Sequence, residues 1–238
     1  MYLDVKFLPS ELKNTDDLQD KICIVLDIFR ASSTITKALH NGCIAVKPIA
    51  DIEATRAEKL LEPQTLLAGE RQSIKIAGFD LGNSPLEFTA EQVCGRAIAM
   101  NTSNGTKAIL ACSKAYKVLI GAFINAEATV EIARSSGRDI VIVCAGTEGE
   151  FSIEDSLCAG YMVKLLVGDG YKVSDTAYAS MLMYERTADN LEIHAGRSAN
   201  GKRLYSIGLA EDVRYCLTRN YLKTVGCYSP DSKTIVKW

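Results

Sequence analysis

Short apolar runs bounded by turn residues recur along this chain and alternate with segments of helix length. No other feature restricts the fold as strongly. Residues 22–26, 43–49, 66–68, 97–100, 118–120 and 140–144 carry the runs, and residues 33–40, 51–61, 104–115, 125–136 and 153–167 lie between them at helix length. Runs this continuously apolar read as strands covered on both faces, since a strand with one wet face alternates polar and apolar residues. Strands alternating with helices predict an α/β fold on a largely parallel or mixed sheet. Beyond residue 170 the pattern weakens, with 175–189 and 209–222 reading as helices and 234–237 as a terminal strand. No linker, repeat or low-complexity tract divides the 238 residues. One domain over 1–238 is the preferred reading, with two tightly packed lobes as the other.

A chain with 47% hydrophobic and 24% charged residues is composed like an ordinary globular protein. Its 27 basic and 29 acidic residues leave a formal charge of −2. No overall positive field exists to attract nucleic acid or an anionic membrane, so any anion site must be local. Residues 1–8 lack a basic region followed by an apolar one, and no run approaches the roughly 18 apolar residues that span a bilayer. The expectation is a cytoplasmic protein. Eight cysteines are scattered singly, with no C-x-x-C pair, and read as reduced thiols filling core positions.

In open α/β sheets, ligands bind beyond the carboxyl ends of strands, where loops converge and helix N-termini present free N–H groups. Three such ends are polar here. The run 22–26 ends in Asp27, with Arg30, Ser32, Ser33 and Thr34 following at a helix start. Asp27 can supply an oxygen to a hard cation while Arg30 and the helix start bind a phosphate. The structural alternative is a helix cap at Ser32 or Ser33 and an Arg30–Asp27 ion pair. The run 97–100 leads into Asn101-Thr102-Ser103-Asn104-Gly105-Thr106-Lys107, a polar turn with the composition of an anion cradle but without Walker spacing. The run 140–144 leads into 145–155, with Glu148, Glu150, Glu154 and Asp155 and two glycines, a candidate magnesium shell. Ser152 to Asp155 also fits a capping pattern, in which first-turn acids suit the helix dipole.

Between the first two ends, Gly69-Glu70-Arg71 and the stretch from Gly78 to Pro85 add Glu70, Arg71, Asp80 and Asn83 as candidate ligands. Ser84-Pro85-Leu86-Glu87 reads as a helix start with a capping box. Spacing removes several chemistries. No cysteine has an arginine at the sixth following position, and Asp27 lacks a second aspartate two residues later, which excludes the cysteinyl-phosphate loop and the D-x-D pattern. With only His40 and His194, a histidine-rich metal centre has little material, and His40 reads as a helix-end residue.

Leu26 to Thr34, Gly69-Glu70-Arg71, Gly78 to Pro85, Asn104 to Ala108 and Cys144 to Gly160, in this order, resemble the 2-phosphosulfolactate phosphatase family. The resemblance implies a three-layer α/β/α sandwich. It also implies a magnesium-dependent hydrolase that converts 2-phospho-3-sulfolactate to 3-sulfolactate and phosphate, a step in making coenzyme M. The chain departs from the family pattern at Asn200, where a histidine is expected, and at Asn101-Thr102-Ser103, where a more threonine-rich form is expected. On this reading Mg²⁺ is held mainly by Asp27 with one or more of Glu70, Glu148, Glu154 and Asp155. Arg30 and Arg71 clamp the phosphate, and Ser32, Ser33, Thr102, Asn104, Gly105 and Thr106 complete the cradle. Two rivals stand beside it: a phosphatase of another phosphorylated hydroxy acid, and a non-catalytic anion-binding protein of the same fold. The oligomeric state is open, with a homodimer as one option.

Overall fold

Each apolar run becomes a strand. The computed structural model describes residues 1–238, with strands β1 (Tyr2–Lys6), β2 (Ile22–Leu26), β3 (Ala45–Pro48), β4 (Leu66–Arg71), β5 (Ile74–Lys75), β6 (Ala97–Asn101), β7 (Lys117–Gly121), β8 (Ile140–Cys144), β9 (Lys172–Val173), β10 (Gly226–Ser229) and β11 (Thr234–Lys237). Between them lie α1 (Ala31–His40), α2 (Ile52–Leu61), α3 (Ala90–Val93), α4 (Gly105–Ala111), α5 (Ala126–Ser135), α6 (Ile153–Leu166), α7 (Asp175–Thr187), α8 (Leu191–Ala195), α9 (Ala199–Ser206) and α10 (Ala210–Leu217). Side-chain caps start several of these helices: Asp51 accepts the Ala54 N–H at 2.7 Å for α2, and Ser174 accepts the Ala177 N–H at 3.1 Å for α7.

All strands join one sheet in the order β5-β4-β6-β3-β11-β10-β7-β2-β8-β1-β9. Parallel pairing holds β7, β2, β8, β1 and β9 together on one side and β3, β6 and β4 on the other. The terminal hairpin β10–β11 lies between these halves and pairs antiparallel to β7 and to β3. Three successive antiparallel pairings give the two halves opposite sense along the sheet. Five strand-to-strand steps separate β2 from β6. At roughly 20–25° of twist each, those steps turn the second half through more than a right angle. This rotation lets the carboxyl ends of both halves face one cleft.

Successive residues of the central strands enter opposite layers. Ile22, Ile24 and Leu26 of β2 and Ile140 and Ile142 of β8 join a cluster of 33 buried residues that includes side chains of α5, α6 and α7. Cys23, Val25, Val141 and Val143 join a cluster of 26 on the other face with Ile35, Ala38 and Leu39 of α1 and Ala108 and Ile109 of α4. A sheet between two helical layers is the three-layer α/β/α sandwich. Each fully buried Val, Leu or Ile contributes about 1.5–3 kcal/mol, so central strands buried on both faces dominate the core. No disulfide forms, and six of the eight thiols are buried. No helix is long and apolar enough to cross a membrane.

Three sequence-derived boundaries are corrected. The helix expected over 104–115 ends at Ala111, because the chain turns and the Ala115 N–H bonds the Cys112 carbonyl. The helix expected over 209–222 ends at Leu217, and the Asn220 and Leu222 N–H groups bond the carbonyls of Phe123 and Ile124 instead. The helix start expected at Ser84 is a single 3-10 turn over Pro85–Glu87. Ser84 Oγ accepts the Leu86 N–H, while the Glu87 carboxylate accepts the Gly82 N–H at 2.8 Å rather than closing a capping box. Strands β1, β5, β9 and β10 and helices α3, α8 and α9 had no sequence counterpart.

Helices α6 and α7 approach most closely at Gly160, where a Cβ would stand 1.9 Å from the Ser180 carbonyl oxygen and 2.9 Å from Tyr184 Cβ. Backbone cannot yield as a flexible side chain does. Gly160→Ala is therefore expected to cost about 1–3 kcal/mol, lowering the melting temperature by roughly 2–4 °C per kcal/mol. Calorimetry checks this, and an unchanged melting temperature would contradict the close packing.

Candidate active site

At the end of β2 the chain turns sharply into α1 and buries a carboxylate. The Asp27 N–H donates to Ser32 Oγ at 2.8 Å, and Asp27 Oδ1 accepts the Ala31 N–H at 3.2 Å. Asp27 Oδ2 faces Gly105 at the start of α4, where a Cβ would stand 2.7 Å from that oxygen and 2.8 Å from Ala31 Cβ. Only glycine fits there. With Asp27 7% exposed, burial pushes its carboxyl up to about 7, helped by the negative charges of Glu70 and Glu154 and opposed by the Ala31 and Gly105 N–H groups.

Two further acids lie behind it in the first turn of α6. Asp155 Oδ1 accepts the Ile28 N–H at 2.8 Å and Oδ2 the Gly146 N–H at 3.1 Å, so one carboxylate ties the loop after β2 to the loop after β8. Ser152 Oγ accepts the Asp155 N–H, so the expected cap is made, but the acid's own arm reaches the loops. Glu154 is 1% exposed and its Oε2 has no hydrogen-bond partner. Burial raises the carboxyls of both Glu154 and Asp155, and for Asp155 the charges of Glu154 and Asp27 add to the effect.

Asp27, Arg30, Glu70, Asn83, Ser103, Asn104 and Glu148 line one narrow cleft together with Phe29, Ser73, Asn200 and Arg203. Wider surface grooves of about 860 Å³ beside α5 and 1110 Å³ beside β3 contain no buried carboxylate. Glu70 accepts the Ser73 N–H at 2.8 Å and the Ser103 N–H at 2.9 Å, which fixes both the β4–β5 turn and the turn after β6. Arg30 is held on two sides, Nη1 donating to Asp212 at 2.5 Å and Nη2 to the Ser73 carbonyl at 2.8 Å. Ser84 Oγ donates to the other Asp212 oxygen at 2.7 Å. At the mouth, Arg203 Nη2 donates to Glu148 Oε1 at 2.8 Å, with side chains 33% and 62% exposed.

The two ion pairs differ in strength. Opening the Arg30–Asp212 pair, 3% and 2% exposed, would strand a buried charge at a cost of about 3–5 kcal/mol. The exposed Arg203–Glu148 pair contributes at most about 1 kcal/mol. Arg30 is thus a fixed wall and Arg203 an exchangeable rim.

The structure does not bring all the sequence candidates to the cavity. Arg71 is exposed and its Nη1 turns back to the Glu70 carbonyl, while Asp80 lies outside on Lys59 Nζ at 2.7 Å and the Leu67 N–H. Ser32 and Ser33 are buried with their hydroxyls donating to the carbonyls of Val25 and Ile28, so neither is free for a ligand. Thr102 and Thr106 bond each other, and Asn104 Oδ1 accepts the Glu148 N–H. His40 meets Thr224 Oγ1 at 3.3 Å at the end of α1. Asp212 and Arg203 were missed as site residues. Asp212 carried a signal, since it sits four residues before Cys216 on the apolar side of α10, an odd place for a carboxylate.

The expected metal set was Asp27 with one or more of Glu70, Glu148, Glu154 and Asp155, and no group of three or more His, Cys, Asp or Glu side chains is set to hold an ion. Asp155 and Glu70 spend their oxygens on backbone N–H groups, and Glu148 is exposed at the rim. Asp27 and Glu154 still fit a hard cation. Both are buried, they repel one another, and Glu154 Oε2 is unpartnered. Magnesium needs only one or two carboxylates when water and phosphate complete its shell.

Fold and site together define an α/β protein with a cleft of acids and arginines at converging strand ends. The family model described as 2-phosphosulpholactate phosphatase matches residues 7–231. A relative from Clostridium botulinum (strain Eklund 17B), named probable 2-phosphosulfolactate phosphatase, is 37% identical over 235 residues, covering 97% of this chain and 98% of its own length. Relatives of the same name from Clostridium tetani and Caldanaerobacter subterraneus are 38% and 41% identical, covering 96% and 86% of this chain and 97% and 86% of theirs. The chain belongs to the 2-phosphosulfolactate phosphatase family, a family of phosphoric monoester hydrolases.

An acid that holds its proton more tightly in the fold than in the open chain stabilises the fold while protonated, and that stability is lost as pH rises through the native value. For Asp27 the window runs from 3.8 to about 7. In cation-free buffer the melting temperature is expected to fall from about pH 4 to about pH 7 and to level off above that. Asp27→Asn, which cannot ionise, should flatten that fall and melt several degrees higher at pH 8. A variant less stable than the parent at pH 8 would contradict the frustrated carboxylate.

Proposed function

We propose that this protein hydrolyses 2-phosphosulfolactate to 3-sulfolactate and phosphate, with magnesium, as in coenzyme M formation. The cavity carries this reading: Asp27, Glu70 and Glu148 and the arginines Arg30 and Arg203 face one space at the strand ends of a chain belonging to that family. Asp27 and Glu154 would hold the ion, which when bound would neutralise charge on the transferring phosphoryl group.

The other roles fall to the chain's own groups. Arg30, immobilised by Asp212 and the Ser73 carbonyl, presents its remaining N–H donors to the phosphate at little entropic cost, as planar guanidinium binding of phosphate requires. Water is the nucleophile, since Asp27 lacks the second aspartate that aspartyl-phosphate enzymes use. Of the three cavity carboxylates, Asp27 would hold the ion and Glu148 stands at the exposed rim, while each Glu70 oxygen keeps a lone pair beside its one backbone N–H, so Glu70 takes the water's proton. The Ser73 and Ser103 N–H groups hold it in place for that transfer.

A phosphate-release assay with 2-phosphosulfolactate tests the proposal. Release should stop on chelation and return with magnesium; release unaffected by chelation would remove the ion from the reading. Asp27→Asn should abolish turnover with the circular dichroism spectrum intact. Glu70→Gln should lower kcat by about 10²–10⁴ with KM little changed, the range for loss of a general base. Arg30→Ala should raise KM and lower kcat together. Full turnover in Asp27→Asn would sink the site assignment.

A further inference from the structure

In the free protein, Arg203 already holds an anion at the mouth of the cavity. Glu148 Oε1 accepts from Arg203 Nη2 at 2.8 Å, and both residues line the same space as Asp27 and Arg30. The guanidinium makes this one hydrogen bond and leaves its other donors open, whereas Arg30 is bonded on two sides and 3% exposed. Helix α9 fixes the position of Arg203. Ser198 caps it by accepting the Gly201 N–H at 2.9 Å, and Asn200, three residues before Arg203 and on the same face, donates from Nδ2 to the Phe29 carbonyl and to Thr147 Oγ1, both at 3.2 Å. Asn200 therefore ties the helix that carries Arg203 to the loops after β2 and β8. Glu148 is held opposite by a tight turn: its φ is +57°, its N–H donates to Asn104 Oδ1, and Thr147 and Glu150 pair across it.

We propose that Arg203 reads the second strong acid of the substrate, taking the sulfonate in place of the Glu148 carboxylate while the phosphate lies deeper against Arg30. This rests on the reading of the site given above. The Glu148 carboxylate marks the place of an anion that a guanidinium can bind through two parallel N–H donors, a geometry a sulfonate offers as a carboxylate does. The exchange is favourable because the leaving partner is exposed and returns to water. Lys107 is the competing cation. It lines the adjoining groove with Asn104 and Glu148 and is itself exposed. An ammonium there would act as a point charge, without the paired donors.

Two esters separate these possibilities: 2-phosphosulfolactate and 2-phospholactate, which carries a methyl in place of the methylene sulfonate. Arg203→Gln should reduce the kcat/KM preference for the sulfonated ester by about ten- to a hundred-fold, chiefly through KM, as expected for loss of a charged hydrogen-bonded contact. Glu148→Gln should lower KM for the sulfonated ester by up to about five-fold, because a weak competitor is removed. Lys107→Gln should leave the preference as it is. Equal losses on both esters in Arg203→Gln, or a lost preference in Lys107→Gln instead, would overturn the assignment. Binding of 3-sulfolactate, followed as a rise in melting temperature, gives a readout independent of turnover. If the wild-type protein hydrolyses neither ester yet is stabilised by 3-sulfolactate, and Arg203→Gln is not, the activity fails and the role of Arg203 stands. If 3-sulfolactate stabilises both proteins equally, Arg203 does not bind the sulfonate.

Discussion

Asp155 accepts the Ile28 N–H on one oxygen and the Gly146 N–H on the other, and those amides belong to loops leaving β2 and β8. One carboxylate therefore sets the spacing of two strand ends, and the site is built on that spacing. The helix carrying it contributes as well. Asp155 stands in the first turn of α6, where the helix dipole favours negative charge, and Ser152 caps the same turn. Without the carboxylate, two buried N–H groups would lose their acceptor, at about 1–3 kcal/mol each. Asp27 is presented to the cleft by the loop so fixed. Burial raises its carboxyl, with the charges of Glu70 and Glu154 adding to the effect, and the Oε2 of buried Glu154 has no hydrogen-bond partner.

The cleft combines parts of unequal firmness. Its inner wall is wired to the scaffold: Arg30 to Asp212 and the Ser73 carbonyl, Glu70 to two backbone amides, Asp212 to Ser84. Its rim is one exposed ion pair on the surface side of α9. Rigid inner groups suit charge stabilisation, since donors already in place cost little reorganisation when charge develops. An exposed rim suits admission of a small multiply charged molecule, because its partners separate into water without stranding a charge.

The terminal hairpin decides how these parts meet. By pairing antiparallel with β7 and with β3, it gives the two parallel half-sheets opposite sense, and the twist then turns their carboxyl ends toward each other. Glu70 at the end of β4 and Ser103 and Gly105 after β6 reach the neighbourhood of Asp27 after β2 for that reason. A uniformly parallel sheet would leave these loops side by side along one edge.

The legible parts were those with a local cause. Continuous apolar runs specify doubly covered strands wherever they lie, so β2 and β8 match their sequence boundaries, while β1, β5, β9 and β10, short or partly polar, do not announce themselves. Asp27, Arg30 and Glu70 were legible because an acid or an arginine just past a buried strand has few structural uses. Arg71 and Asp80 had the same credentials and turn outward, since side-chain direction after a strand depends on which neighbour captures it, here the Glu70 carbonyl and Lys59. Ser32 and Ser33 look free in the sequence but satisfy backbone carbonyls within their own turn. The sequence by itself determined the α/β architecture, the polar strand ends and the scarcity of histidine chemistry, because periodicity and residue type act over a few residues. Only the tertiary structure decided that Asp212 holds Arg30 across 182 positions and that Arg203 faces Glu148 across 55, because such pairings depend on where the sheet carries distant segments and not on either segment alone.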